Sequence, residues 1–484
     1  MARLVGDRAA ALRSASTVPL WIDRLEPSVA HRAGLEADLD ADVAIVGGGF
    51  SGLWTAYYLK RLAPALRVVV IERHHCGFGA SGRNGGWAIG ELAGSYADYA
   101  RRSSRSGSPG DSLRLMRAMF DAVDEIGRVA AAESIDCDYA KGGTIRVART
   151  APQAQRQTAE AAEAQRLGLT EDEFRLLGPD EACEQLNATG VRSGILVGPS
   201  AVVDPAKLAT GLARTVEQSG VEIYEQTRAT AIGTAALQVV PNAQDRAPSS
   251  RRVHAPVIVR ATEAYTRDLR GSRRELLPVY SRMIATEPLP DEFFDDIGLA
   301  ARPSFADDRR MVTYGQRTAD NRIAFGATGV PYSFGSRIKP SMEEHLGMHR
   351  RIWRILAEML PQLNDVGITH RWGGALGIPR NWLPGVRFCP QTGRGTLGGY
   401  VGEGVAASNL AGRTLAELIA GCNTDRTRLP WVGVSSRRWE PEPLRWLGVR
   451  SSRALLGVAD RRELRSDRPD RVASGIARAL RGGH

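Results

Sequence analysis

The sequence predicts an α/β fold that opens on a parallel sheet with a right-handed crossover. Three observations carry this expectation. Residues 42–46 (DVAIV) and 67–72 (RVVVIE) are short β-branched runs of the buried-strand kind. Between them lie a glycine turn at 47–52 (GGGFSG) and a stretch of helix formers at 53–62. Together they read as strand, turn, helix, strand over about 30 residues. Parallel neighbours joined through a helix cross over right-handed, because a right-twisted strand packs its helix back onto the sheet only in that hand.

The remaining elements follow in chain order. Residues 1–40 hold no sustained period, and Trp21 and Leu25 are the expected anchors of an N-terminal arm. Residues 111–133 and 150–167 read as polar, Ala-rich helices separated by a strand at 143–148 (GTIRVA). At 204–220 (DPAKLATGLARTVEQSG) an amphipathic helix has Pro just inside its start and Gly after its end, and a strand at 221–224 follows. Residues 241–252 are a polar, Pro/Ser-rich excursion of the hairpin-loop kind, and 257–260 is a third core strand. Residues 280–286 and 310–325 suggest longer antiparallel strands, whereas 341–360 is helical. No internal repeat marks a solenoid.

Length and composition bound the function. A chain of 484 residues exceeds one small core and implies two or three domains, or two interleaved ones. With 43% hydrophobic and 24% charged residues the composition is ordinarily globular and not that of a wholly disordered or fibrous chain. Apolar runs are only a few residues long, too short to span a bilayer, and the N-terminus lacks a secretory apolar segment. A cytoplasmic protein is therefore expected. Cys76, Cys137, Cys183, Cys389 and Cys422 are scattered without a CxxC pair, which disfavours both a zinc site and a disulfide scaffold. The net charge of +10 is concentrated in the tail, where residues 421–484 carry 14 Arg against 7 Asp and Glu. With Lys60, Lys141, Lys207 and Lys339 as the only lysines, the arginine bias is global, and an exposed Arg-rich helix with a ragged end is favoured over nucleic-acid binding.

Chemistry enters through glycine. Gly47, Gly49 and Gly52 form a GxGxxG fingerprint after a predicted strand and at the opening of a helix, and Glu72 ends the next strand. Gly47 permits the tight turn, Gly49 lets backbone approach a pyrophosphate, and Gly52 lets helix and strand pack closely. The helix N-terminal amides then face phosphates, and Glu72 accepts hydrogen bonds from an adenosine ribose. Arg73 beside it softens the exclusion of a 2′-phosphate. The small-residue run at 78–87 (FGASGRNGGW) lets backbone lie flat against a planar ligand, with Arg83 and Asn84 as donors. A second glycine turn, 398–404 (GGYVGEG), runs into a helix at 405–420 ended by Gly421. Its positive end suits a heterocycle that gains negative charge on reduction.

These segments, with 204–213 (DPAKLATGLA), 261–266 (ATEAYT), 277–290 (LPVYSRMIATEPLP) and 372–377 (WGGALG), resemble the D-amino-acid oxidase superfamily of FAD-dependent oxidoreductases. They are most similar to the branch of glycine oxidase, sarcosine oxidase and gamma-glutamylputrescine oxidase. The resemblance covers about residues 20–450. It implies a Rossmann-like FAD-binding domain interleaved with an α+β substrate domain whose large antiparallel sheet roofs the flavin, and oxidation of the C–N bond of an amine or amino acid to an imine. The expected division is an arm at 1–40, FAD-binding parts at 41–105, 201–275 and 366–425, substrate parts at 106–200 and 276–365, and a basic extension at 426–484. Glu403 stands where the family often has His, and Asn381 where it often has Asp. Several relatives attach FAD through a Cys in the segment corresponding to 372–377; this chain has none there, so the cofactor is expected to be non-covalent.

The expected cofactor-binding residues are Gly47, Gly49, Gly52, Glu72, Arg73, Ser81, Arg83, Asn84, Gly85, Gly86, Ala229, Ala261, Thr262, Gly374, Gly402, Gly404 and Val405. Tyr280 and Arg282 share a strand face and are expected to contact substrate from the roof, with Glu403 as a third catalytic candidate and Arg146 a weaker one. An arginine tied into the domain interface is the competing reading of Arg282. His345 and His349 have the spacing of a two-His metal face without a third ligand, so no metal is expected. His74 and His75 read as solvated. Oxygen or another acceptor completes the cycle, with neither a nucleic-acid partner nor a membrane span. Two alternatives stay open: a catalytically altered flavoprotein, marked by Glu263 and Glu403, and a nicotinamide-dependent dehydrogenase using the same fingerprint.

Overall fold

The computed structural model describes residues 12–26, 31–93, 99, 109–242, 250–328 and 332–468; the tip of the 241–252 excursion and the end of the basic tail lie outside them. After a short helix α1 (Leu20–Asp23) the chain enters β1 (Val43–Val46), α2 (Phe50–Leu62) and β2 (Val68–Ile71). It continues through β3 (Thr144–Ala148), β4 (Ser193–Val197), α3 (Pro205–Gln218), β5 (Glu222–Tyr224) and β6 (Val257–Arg260). Then come β7 (Leu276–Thr286), β8 (Ser304–Asp307), β9 (Thr313–Arg317), β10 (Ile323–Thr328) and α4 (Leu346–Met359). The last elements are β11 (Ile368–Pro379), β12 (Gly385–Cys389), β13 (Arg394–Gly398), α5 (Gly404–Ile419) and α6 (Leu444–Ser466).

Two sheets organise the molecule. The first runs β12-β13-β6-β1-β2-β5, and its strands are parallel except for the β12-β13 hairpin. β1 and β2 are buried on both faces because α2, α3 and α5 cover one side and a smaller four-stranded sheet covers the other. That double cover is why both strands read as unbroken apolar runs. The second sheet has eight strands in the order β11-β7-β10-β9-β8-β3-β4 and Arg175–Leu177, antiparallel apart from the β8-β3 pair. α4 packs on it through Ile352, Trp353, Leu356 and Met359. Strands of both sheets come from widely separated stretches of sequence, so neither sheet closes until the chain has returned twice. β11 pairs along its length with β7, from Leu276 opposite Pro379 to Ala285 opposite His370, and so belongs to the larger sheet.

The arm is pinned as its tryptophan suggests. Trp21 is buried, lies edge-on to Trp372 at 6.2 Å, and its indole Nε1 donates to the Asn84 carbonyl at 2.8 Å. Trp21→Phe keeps the ring contact but leaves that carbonyl unpaired, which costs about 1–3 kcal/mol. The expected result is a lower melting temperature and weaker flavin retention on dilution, read by absorbance; unchanged retention would show that the arm is dispensable to the loop.

Candidate functional site

The turn between β1 and α2 is built by exclusion. Gly47 sits at φ +109°, where an L side chain is strained, and a Cβ on Gly52 would overlap the Gly47 carbonyl oxygen. α2 therefore starts against the end of β1 with its first amides facing a cavity. One of these is already satisfied: the Phe50 N–H donates to Ser81 Oγ at 2.9 Å. A Cβ on Gly49 would come within 2.8 Å of that same oxygen. At the tip of β2 the Glu72 carboxylate accepts from the Gly48 N–H at 2.7 Å and the His74 N–H at 2.9 Å. Burial nevertheless pushes its pKa up.

The second loop is fixed from outside. Three consecutive carbonyls each receive a side-chain donor from a different element: Arg83 from Trp372 Nε1 at 2.9 Å, Asn84 from Trp21 Nε1 at 2.8 Å, and Gly85 from Gln316 Nε2 at 2.6 Å. Asn84 ties the loop internally, donating to the Ala80 and Ser81 carbonyls and accepting from the Gly86 N–H at 2.7 Å. Arg83 donates to the Phe78 carbonyl at 2.8 Å and pairs with Glu343 at 2.7 Å. Both side chains hold the loop's shape. The loop abuts the sheet so closely that a Cβ on Gly85 would lie 2.7 Å from the Tyr314 ring.

The third glycine turn joins the other two. Tyr400 and Ser51 share a hydrogen bond of 2.8 Å, which links the turn before α5 to the first turn of α2. Glu263, at φ +42°, accepts from the Gly399 N–H at 2.7 Å and the Gly377 N–H at 3.4 Å, fastening this turn to β11. Burial raises the Glu263 pKa to about 7, against the lowering effect of those backbone donors.

One cavity collects these parts. Glu72, Arg73 and Thr227 to Ala229 lie on its wall, as do Gly47, Gly49 and Ser51 of the fingerprint, Ser81 and Asn84 of the second loop, and Ala261 and Thr262. Ala375, Leu376, Gly402, Gly404 and Val405 continue the wall. Phe50, Phe78, Tyr265, Asp268, Tyr400 and Ser408 also line it and were not foreseen. For Tyr400 a signal existed, since it stands inside the quoted GGYVGEG turn. Among the expected cofactor residues, Gly52, Arg83, Gly85, Gly86 and Gly374 are not on this wall; they support it from behind, with Gly374 against the Arg83 side chain. Arg73 faces the cavity and pairs with Asp268 at 3.1 Å.

Residues 42–418 match the family described as FAD dependent oxidoreductase. The chain belongs to that family. Gamma-glutamylputrescine oxidoreductase of Escherichia coli (strain K12) is 29% identical over 394 residues, covering 80% of this chain and 85% of the relative. Among solved structures, glycine oxidase from Geobacillus kaustophilus superposes with a TM-score of 0.63 at 20% identity, covering 80% of this chain and 96% of that one. L-amino acid deaminase from Proteus vulgaris gives a TM-score of 0.62 at 18% identity over 83% of this chain and 96% of its own. The chain is an FAD-dependent oxidoreductase with a Rossmann-like FAD-binding domain, its parallel sheet interleaved in sequence with the large, mainly antiparallel one. The observed cradle suits that cofactor: free helix amides, a glycine whose Cβ would intrude, and a carboxylate at the tip of β2.

Several expectations change. Tyr280 and Arg282 do share a face of β7, but that face is covered by residues 338–342. The Lys339 N–H donates to the Tyr280 hydroxyl at 2.7 Å, and Arg282 Nε donates to the Met342 carbonyl at 2.7 Å. Both are buried and neither lines the cavity. The opposite face of β7, carrying Ser281 and Met283, is the one that meets the Gly85 loop through Tyr314, whose hydroxyl bonds Ser281. Arg146 is tied to Glu160 at 2.5 Å and Asp308 at 3.2 Å in the outer part of the large sheet. Glu403 caps α5 between two cavity-lining glycines and is half-buried. Asn381 donates to the Ser435 carbonyl, away from the cavity. His349 is buried with Nε2 on the Trp372 carbonyl at 3.0 Å, and burial lowers its pKa to about 4. His74 is half-buried rather than solvated: it stacks on Phe78 at 3.9 Å, lines the cavity, and is pushed down to about 4 by burial.

Two outcomes follow from this geometry. Gly49→Asp places a carboxylate against Ser81 and the incoming pyrophosphate, so the purified variant is expected to be colourless and to show no melting shift with added FAD; yellow protein would refute it. For Glu263, a pKa raised from 4.5 to about 7 means that the fold binds the proton more tightly than the unfolded chain. Its stability contribution is present below the ordinary carboxylate pKa and is lost as pH rises through about 7. Melting curves between acid and neutral pH should show wild type losing stability relative to Glu263→Gln as pH rises.

Proposed function

We propose that this enzyme oxidises the C–N bond of an amine or amino acid, holding FAD non-covalently and passing the electrons to oxygen or another acceptor. The observation that carries the reading is one cavity walled by the fingerprint of α2, the turn before α5 and Ala375 and Leu376 of β11; the half-buried Ser281 and Trp87 stand off that wall, grouped around Tyr314, which meets Gly85. The names of the matched relatives, an oxidoreductase of gamma-glutamylputrescine among them, support an amine substrate. When bound, FAD would supply the two-electron acceptor for a hydride from the carbon beside the amine, which would become an imine.

The chain's own groups have distinct tasks in this reading. Glu72 and Arg73, with Thr227 to Ala229, hold the adenosine end, and the α2 amides hold the pyrophosphate. The N-terminus of α5, bracketed by the cavity-lining Gly402 and Gly404, would set its positive dipole to stabilise the negative charge that reduction of a bound flavin adds. The sheet excludes water from the reacting carbon. Ser281 and Tyr314, which like Tyr280 and Arg282 lie off the cavity wall but stand beside the Gly85 loop, are proposed as the polar groups that would meet substrate; burial raises the Tyr314 pKa to about 12, so it remains a neutral donor at physiological pH.

Anaerobic addition of a panel of amines and amino acids tests the proposal. Loss of the oxidised flavin absorbance with at least one member is expected, and a panel that leaves the spectrum unchanged would favour a catalytically altered flavoprotein. Acid precipitation should release all flavin into the supernatant, whereas colour retained in the pellet would contradict non-covalent binding. Arg282→Met should lower stability by about 1.5–3 kcal/mol, the usual worth of a hydrogen bond to a charged group. It should affect an acidic amine and a plain alkylamine equally; a selective loss with the acidic amine would restore Arg282 as a substrate anchor.

A further inference from the structure

We propose that the outward face of α6 docks on an anionic lipid bilayer, so that the enzyme works as a peripheral, membrane-surface protein. Large apolar side chains are rarely left in water on this molecule. Among the described residues nine stand out as exposed, and four of them, Leu444, Leu447, Leu455 and Leu464, lie on this one helix. A fifth, Phe334, 52% exposed, sits edge-on to Trp446 of α6 at 6.4 Å.

Their arrangement is directional. At 3.6 residues per turn, Leu444, Leu447, Leu455, Arg462 and Arg465 fall on one stripe, apolar in its first half and basic in its second, whereas Leu464 lies on the other side of the helix. Leu444 and Leu447 are 63% and 50% exposed. Charge is sorted by side in the same way. The two acids of the helix both turn inward: Asp460 accepts from the Arg310 and Met311 N–H groups at 2.9 Å, and Glu463 pairs with Arg310 at 2.7 Å and Arg156 at 3.1 Å. What remains outward is cationic, with Arg450, Arg461, Arg462 and Arg465 all exposed.

Leucines for the acyl boundary beside arginines for headgroup phosphates are the requirements of an interfacial helix lying in the plane of the membrane. Two other occupants fit less well. A nucleic acid would be matched by the arginines but would leave the leucines wet, and a second copy meeting this face symmetrically would set its arginines against leucines when antiparallel or against each other when parallel. No described helix is long and apolar enough to cross a bilayer, so docking is at the surface. The chain beyond α6 adds Arg468, Arg471, Arg478 and Arg481 against Asp467 and Asp470.

Sedimentation of the FAD-loaded full chain with vesicles of phosphatidylcholine, alone or mixed with phosphatidylglycerol, tests this. Binding is expected only to the mixed vesicles and should weaken with added salt. Arg461→Glu with Arg465→Glu should reduce it by about fivefold per arginine, or about twenty-fivefold together. Leu444→Ser with Leu447→Ser and Leu455→Ser should reduce it about tenfold or more. Neither set touches the flavin cavity, so flavin content and melting temperature should stay at wild-type values and serve as the folding control. The proposal falls if the chain ignores both vesicles or binds both equally. It falls too if the face instead retains duplex DNA independently of the leucines, or mediates a dimer that the serine variants dissolve.

Discussion

Three successive peptide carbonyls, those of Arg83, Asn84 and Gly85, are each held by a side chain from a distant part of the chain, and the site depends on that arrangement. Trp372 comes from β11, Trp21 from the arm and Gln316 from β9. A glycine-rich loop has little conformational preference of its own and loses more entropy on ordering than any other kind of segment. Buried carbonyls that pair in only one loop geometry offset that loss, because any other geometry leaves several of them unsatisfied. The same loop carries Ser81, which binds the first amide of α2, so placing the loop also places the fingerprint helix against the roof.

Around the cavity two buried acids serve the backbone. Glu72 gathers amides at the tip of β2, and Glu263 gathers amides from two elements that meet only in the folded chain. Backbone N–H groups favour the ionised carboxylate while burial opposes it, and at both positions burial is the larger effect. Their proton affinity is therefore coupled to the packing around the cavity. Arginines pair with acids away from the cavity, both inside the fold, as Arg309 with Asp307, and in the outer part of the large sheet, as Arg146 with Glu160 and Asp308; others face solvent on α6.

Much of the parallel sheet was legible. β1, α2 and β2 fall within three residues of their expected bounds, as do α3 with its Asp204 cap and α5 after the last glycine turn, because local pattern and local chemistry agree there. β11 was quoted for its WGGALG motif but not expected as a twelve-residue strand; its glycines and small residues depress strand propensity, and only pairing with β7 along its length makes it one. His74 was misjudged because burial by Phe78 is a contact across a turn, which composition does not announce.

By itself the sequence determined which residues shape the cradle: Gly47 for its positive φ, Gly52 for a contact that leaves no space for a Cβ, and Glu72 for a carboxylate at a strand tip. Those are local requirements, and residue type and spacing express them. It also determined that Tyr280 and Arg282 share a face, since strand period alone settles that. Only the tertiary structure decided which way the face looks. Period 2 is indifferent to which side of a sheet meets the cofactor. That choice is made by the packing of residues 338–342 over one side and of the Gly85 loop against the other, and it moves the polar groups proposed to meet substrate from Arg282 to Ser281 and Tyr314.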